Sequence, residues 1–252
     1  MESLSKKLMI SPKKPRTIFA YLIVPAILGL AACSGSSGAI NPMPSPLPSV
    51  QPSPSPSPSP TPATPTPPPA PTPTPIVLSL GQVVGARTFP VGDTAQGGNG
   101  QTVDGISCGS MLQTFHIHSH VSIWHNGQQI AFPIALGIPG AILTNNGTQT
   151  NAGTCFYNLH THDMSGIVHN EGPAQTNFTL GQVFDIWGEP LSIGNVAGFM
   201  GPTLVYVDTN SSTPSATIYT GDPRAIVLTN HQQITLEVGG PFVYPLFYNW
   251  PY

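Results

Sequence analysis

Three histidines stand two apart in FHIHSH, at His116, His118 and His120, and LHTHD sets His160 and His162 two apart again. Seven of the eight histidines lie between positions 116 and 169. A neutral imidazole is a ligand for zinc, copper, nickel or iron. Three such nitrogens on one ion leave a fourth position open, as in catalytic zinc sites. Asp163 and Glu171 are the nearest carboxylates, either as further ligands or as partners that orient a ring N–H. Met164 adds a thioether that would favour copper, with plain packing as its alternative.

Such residues need elements to hold them. Side chains on a strand alternate faces, so residues 114–124, TFHIHSHVSIW, put His116, His118 and His120 on one face. Phe115, Ile117, Val121 and Ile123 take the other. Asn126-Gly127 then predicts a hairpin into QQIAFPI. His160 and His162 also share a face, and Asp163-Met164-Ser165-Gly166 reads as a tight turn. Closing that turn between 163 and 166 pairs His162 with Ile167 and His160 with His169. Directly opposed residues lie about 4.5–5.5 Å apart at Cβ, close enough for both rings to reach one ion. A one-residue slip would send His169 to the other face. The candidate ligands are thus His116, His118, His160, His162 and His169, with His120 as a sixth. Six exceed one tetrahedral site, so either some serve as partners of the ligands or two ions bind. The alternative is a hydrogen-bonded structural cluster. His125 falls on the opposite parity, and His231 could join only through the fold.

Elsewhere, Thr179 with Gln182 fits a capping box. Leu180, Val183, Phe184 and Trp187 fall at helical spacing, and Gly188 can stop the helix. TLVYVD, AIVLT and QITLEVG read as strands. LGQVV at 80–84 and LGQVF at 180–184 are alike but too short to establish a duplication. The expected fold is mainly β with one short helix, an α+β domain whose antiparallel hairpins form a small sheet or sandwich.

That domain occupies residues 76–252. Ahead of it, residues 33–75 are rich in Pro, Ser and Thr. They cannot bury a core and favour an extended polyproline spacer. Residues 1–32 combine basic side chains, the apolar run TIFAYLIVPAILGLAA and small residues, the pattern of an export signal. Five of the seven Lys and Arg lie in that leader and nine of the ten Asp and Glu lie beyond it. The remainder has two positive against nine negative side chains, a formal charge of −7. It offers no basic footprint for nucleic acid. Of the three cysteines, Cys108 and Cys155 would form a disulfide in an oxidising compartment, stapling the two histidine segments near each other. Thiolate ligation is the alternative.

Leu30-Ala31-Ala32-Cys33 resembles a bacterial lipobox. The resemblance implies a lipid on Cys33, attachment to a membrane through that lipid, and a location in the cell envelope facing the periplasm or the exterior. LHTHD is similar to the HxH of metal-dependent phosphoesterases and amidohydrolases, but the domain lacks the length, the βα alternation and the lysine of those barrels. A cupin-like reading lacks the glutamate that should follow HIHSH. The arrangement HxHxH, Asn-Gly, LHTHDxSGxxH and FTLGQxFDIWG is similar to secreted bacterial and archaeal proteins of unassigned function, and implies no activity. The expected function is therefore a lipid-anchored, extracytoplasmic metal-binding protein with zinc or copper as cofactor. The alternatives are a metal-dependent enzyme with an open three-histidine site, or a surface module that binds a partner protein or glycan without metal. Exposed aromatics in the tail PFVYPLFYNWPY would favour the last, and core packing by a terminal strand is the plainer reading of that tail.

Overall fold

A computed structural model describes residues 74–92, 97–209 and 214–250. The leader, Cys33 and nearly all of the Pro/Ser/Thr-rich segment lie outside the described residues. In chain order the elements are β1 (Ile76–Val77), β2 (Phe115–His125), β3 (Gln128–Ile130), β4 (Ile142–Thr144), β5 (Gln149–Ala152), β6 (Leu159–His160), β7 (Ile167–Gly172) and α1 (Leu180–Trp187). A small meander, β8 (Leu191–Ser192), β9 (Asn195–Val196) and β10 (Phe199–Met200), precedes β11 (Thr203–Asp208), β12 (Thr217–Ile218), β13 (Gln233–Val238) and β14 (Tyr248–Asn249). The described residues are mainly β with one α-helix, as the sequence led us to expect.

The central sheet has the order β12-β11-β13-β2-β7-β6, with β3 also paired to β2. Its long strand β2 follows from alternation. Val121 and Ile123 enter the core beside Val168, Leu159, Ile234, Leu236 and Val205, and α1 packs Leu180, Val183, Phe184 and Trp187 onto the same cluster. Burying each such side chain stabilises the fold by about 1.5–3 kcal/mol. Asn126 and Gly127 have φ of 51° and 75°, the left-handed pair that turns β2 into β3 with His125 opposite Gln128. On α1, Thr179 accepts from the Gln182 N–H while Gln182 reaches back to the Thr179 N–H, and Gly188 ends the helix at φ 86°.

Two features differ from the sequence reading. AIVLT is not a strand. Asp222 caps a 3-10 turn at Pro223–Ala225, and the residues after it cross the start of α1 through the Leu180 N–H to Ile226 carbonyl and Leu228 N–H to Phe178 carbonyl bonds. In addition, β13 runs parallel to β2, with Gln233 opposite His120 and Glu237 opposite Trp124. The second face of the sheet is therefore lined by Gln233, Thr235 and Glu237 next to His120, Ser122 and Trp124. The tail covers part of it, with the Gln233 amide bonded to both the N–H and the carbonyl of Tyr248. Phe247 and Tyr248 are buried, and β14 pairs with β1.

A candidate metal centre

Three adjacent strands build the site. On β6 and β7, His160 faces His169 and Leu159 faces Asn170, which is the register the turn predicts. On β7 and β2, His169 faces His118 and Glu171 faces His116. One row across the sheet thus reads His160, His169, His118, with Glu171 and His116 in the neighbouring row.

The turn between the clusters is fixed by Asp163, whose carboxylate accepts from the Ser165 N–H, the Ser165 hydroxyl and the Gly81 N–H. Thr161, between the two histidines, is clamped by the 133–138 loop. Its hydroxyl donates to the Pro133 carbonyl and its N–H to the Leu136 carbonyl. The loop approaches so closely that a Cβ on Gly137, at φ +70°, would lie 2.3 Å from the Leu159 carbonyl oxygen. The Cys108–Cys155 disulfide is formed, with Cα atoms 5.5 Å apart, so neither sulfur is a free thiolate.

Five imidazoles and one carboxylate meet here. His160 Nδ1 lies 2.8 Å from the Tyr157 carbonyl oxygen, and His162 Nδ1 lies 2.7 Å from that of Thr150. A carbonyl only accepts, so both Nδ1 atoms carry the proton and both Nε2 atoms present lone pairs. Those two Nε2 atoms face each other at 3.2 Å. Glu171 Oε1 lies 3.0 Å from His116 Nε2, 3.3 Å from His169 Nδ1 and 3.8 Å from His160 Nε2, and His116 Nε2 lies 3.1 Å from His169 Nδ1. The ligand atoms of His160, His162, His169 and Glu171 lie within 4.8 Å of one another, and so do those of His116, His118 and His169. This buried histidine–glutamate cluster has the composition and spacing to hold a metal ion.

Electrostatics favour the neutral, ligating form of the imidazoles. Burial pushes the His160 imidazole down to about 3, helped by the neighbouring His162, and pushes His118 down to about 4. Burial and the surrounding imidazoles hold His169 far below the usual range, and burial lowers His162 and His116. Burial also raises the Glu171 carboxyl to about 7, against a hydrogen bond from Gln113. A cleft of about 260 Å³ opens on the cluster, with His116, His162, His169, Glu171, Met111 and Leu80 in its wall.

Not every expected residue joins. His120 shares the face but lies one step further along the sheet. Its Nε2 bonds the Ser165 carbonyl at 2.9 Å and its ring lies 4.1 Å from that of Tyr248, so it packs the core and belongs to neither ligand set. Asp163 shapes the turn, though its charge still favours the protonated form of His162. Glu171, expected either as a ligand or as a partner of one, stands among the rings of the cluster. Met164 is buried among Ala131, Ile134 and Ala135. His125 stacks on Phe199 at 4.4 Å. His231 donates its N–H to the His118 carbonyl and lies 5.4 Å from the Trp250 ring, outside both sets. Sequence spacing gave no sign of the Thr150 and Tyr157 carbonyls that orient the rings, nor of Gln113. Gly105-Ile106-Ser107-Cys108-Gly109 spells the G-x-S-x-G of serine hydrolases. Ser107 is exposed, however, and its hydroxyl meets Thr102, not an imidazole.

Comparison with protein-family models, with curated proteins and with solved structures finds no match to this chain.

Proposed function

We propose that this chain is a metal-binding protein of the cell envelope, tethered by a lipid on Cys33 and holding zinc or copper in the cluster built on β2, β6 and β7. The observation that carries the metal reading is the His160–His162 pair. Two lone pairs 3.2 Å apart repel unless a cation lies between them. Two nitrogens bound at 2.0–2.1 Å to one tetrahedral ion stand about 3.3–3.4 Å apart. The carbonyl bonds to both Nδ1 atoms are the arrangement by which metal-bound imidazoles are commonly oriented. Imidazole-rich sites with one carboxylate suit zinc and copper. The lipid tether is supported by the lipobox-like Leu30-Ala31-Ala32-Cys33.

The test is elemental analysis after chelator treatment and reloading. Wild-type protein retains zinc or copper through desalting. His160→Ala with His162→Ala lowers retention by about one equivalent, and His125→Ala leaves it intact. Retention below about a tenth of an equivalent by the wild type would overturn the reading. Tethering is tested separately, by detergent partitioning of wild type against Cys33→Ser.

The cleft favours a second reading, a metal-dependent enzyme. It gives a small molecule access to His116, His162 and Glu171.

A further inference from the structure

A tetrahedral ion takes four donors, and the cluster offers six. They fall into two overlapping sets, His160 with His162, His169 and Glu171, and His116 with His118 and His169. His169 sits at the centre. Its ring lies 4.4 Å from that of His118 and 4.4 Å from that of His162, edge-on to both, and 5.3 Å from those of His116 and His160.

We infer that the cluster holds two transition-metal ions side by side, the second one in the His116–His118–His169 set. This rests on the metal reading above. His116 Nε2, His169 Nδ1 and Glu171 Oε1 form a triangle with edges of 3.1, 3.3 and 3.0 Å, close to the ligand spacing of one ion, and His118 stands over it with its ring 4.5 Å from that of His116. The His160–His162 pair makes a separate seat of the same dimension. Glu171 Oε1 stands between the two, 3.0 Å from His116 and 3.8 Å from His160. Two divalent ions about 3.5–4 Å apart repel each other, and a carboxylate between them offsets that repulsion.

The seats differ in access. The His116 side chain is 30% exposed and that of His160 only 1%, while the cleft wall carries His116 from one set and His162 from the other. The outer ion therefore exchanges faster, and a ligand entering the cleft meets both.

The experiment is metal stoichiometry on wild-type protein and on His116→Ala with His118→Ala, each reloaded with copper(II) and desalted, together with electron paramagnetic resonance of the loaded wild type. The expected result is about two equivalents in the wild type and about one in the variant. The wild-type spectrum is then broadened by coupling between neighbouring ions, and brief chelator treatment restores an isolated-ion signal by stripping the outer one. One equivalent in the wild type with an isolated-ion spectrum would overturn the second ion and leave the first standing. No copper in the wild type would overturn both. The wild-type spectrum decides the question even if the double variant does not fold.

Discussion

Glu171 and His116 are opposed across β7 and β2, and the carboxylate oxygen Oε1 stands 3.0 Å from the ring nitrogen Nε2. The exposed end of the site and its buried carboxylate are thereby joined in one contact. Glu171→Gln keeps the shape and removes the charge, so it should weaken metal affinity at least about tenfold. Competition against a chromophoric chelator measures the loss, and an unchanged affinity would remove Glu171 from the site.

Glu237 is 1% exposed on the polar face of β13. It accepts from the Val243 N–H, while its Oε1 and the Tyr206 hydroxyl have no hydrogen-bond partner among the described residues. Burial raises its carboxyl to about 7. The folded value exceeds the unfolded one, so its stabilising effect is complete below the unfolded pKa and is lost as pH rises through 7. Glu237→Gln should therefore stabilise the protein by roughly 1–3 kcal/mol at pH 8 and change little at pH 4.5. Thermal melts at the two pH values check the sign.

His120 titrates in the opposite sense. Burial lowers it to about 4, against the bond to Ser165. Its contribution is complete above the unfolded pKa near 6.5 and is lost as pH falls toward 4. His120→Gln can keep the bond to the Ser165 carbonyl without taking up a proton. In metal-free protein it should flatten the fall in melting temperature between pH 6.5 and 4, read from the slope rather than from any single value.

Removal of the disulfide by Cys108→Ala with Cys155→Ala opens a link across a sequence separation of 47 residues. The loop-entropy relation gives about 4 kcal/mol for a link of that length. Urea unfolding should show this loss, and metal affinity should fall with it if the bridge holds the two histidine segments together.

Gly137→Ala puts a methyl group 2.3 Å from the Leu159 carbonyl oxygen at a left-handed φ. The expected cost is about 1–3 kcal/mol. Because that loop clamps Thr161, metal retention should drop further than in a control such as Gly147→Ala, where a Cβ meets nothing within 4 Å at a similar φ of +82°.

Much of the site was legible because its signals are local. Two-residue alternation put His116 and His118 on one face, and the Asp163–Gly166 turn set His160 against His169. Thr179, Gln182 and Gly188 marked the helix in the same way. What could not be read depends on distant partners. His120 obeys the same alternation as His118, yet Ser165 and Tyr248 draw it into packing. Glu171 enters the cluster only because β7 pairs with β2 in one particular register. The parallel alignment of β13 on β2 joins segments more than a hundred residues apart, as with Ile234 and Val121, and leaves no local mark. LGQVF becomes a helix behind its Thr179 cap, whereas in LGQVV the chain turns only once before the Val84 N–H joins the Met164 carbonyl.

The pairing of β1 with β14 puts Ile76 beside Tyr248. The domain's beginning and end therefore adjoin, and a short bridge could join them into a closed loop. A circular permutant cut at the Asn145–Gly147 turn would then place β6 and β7 near its new beginning and β2 near its new end, so that the histidine cluster itself would join the two new halves of the chain.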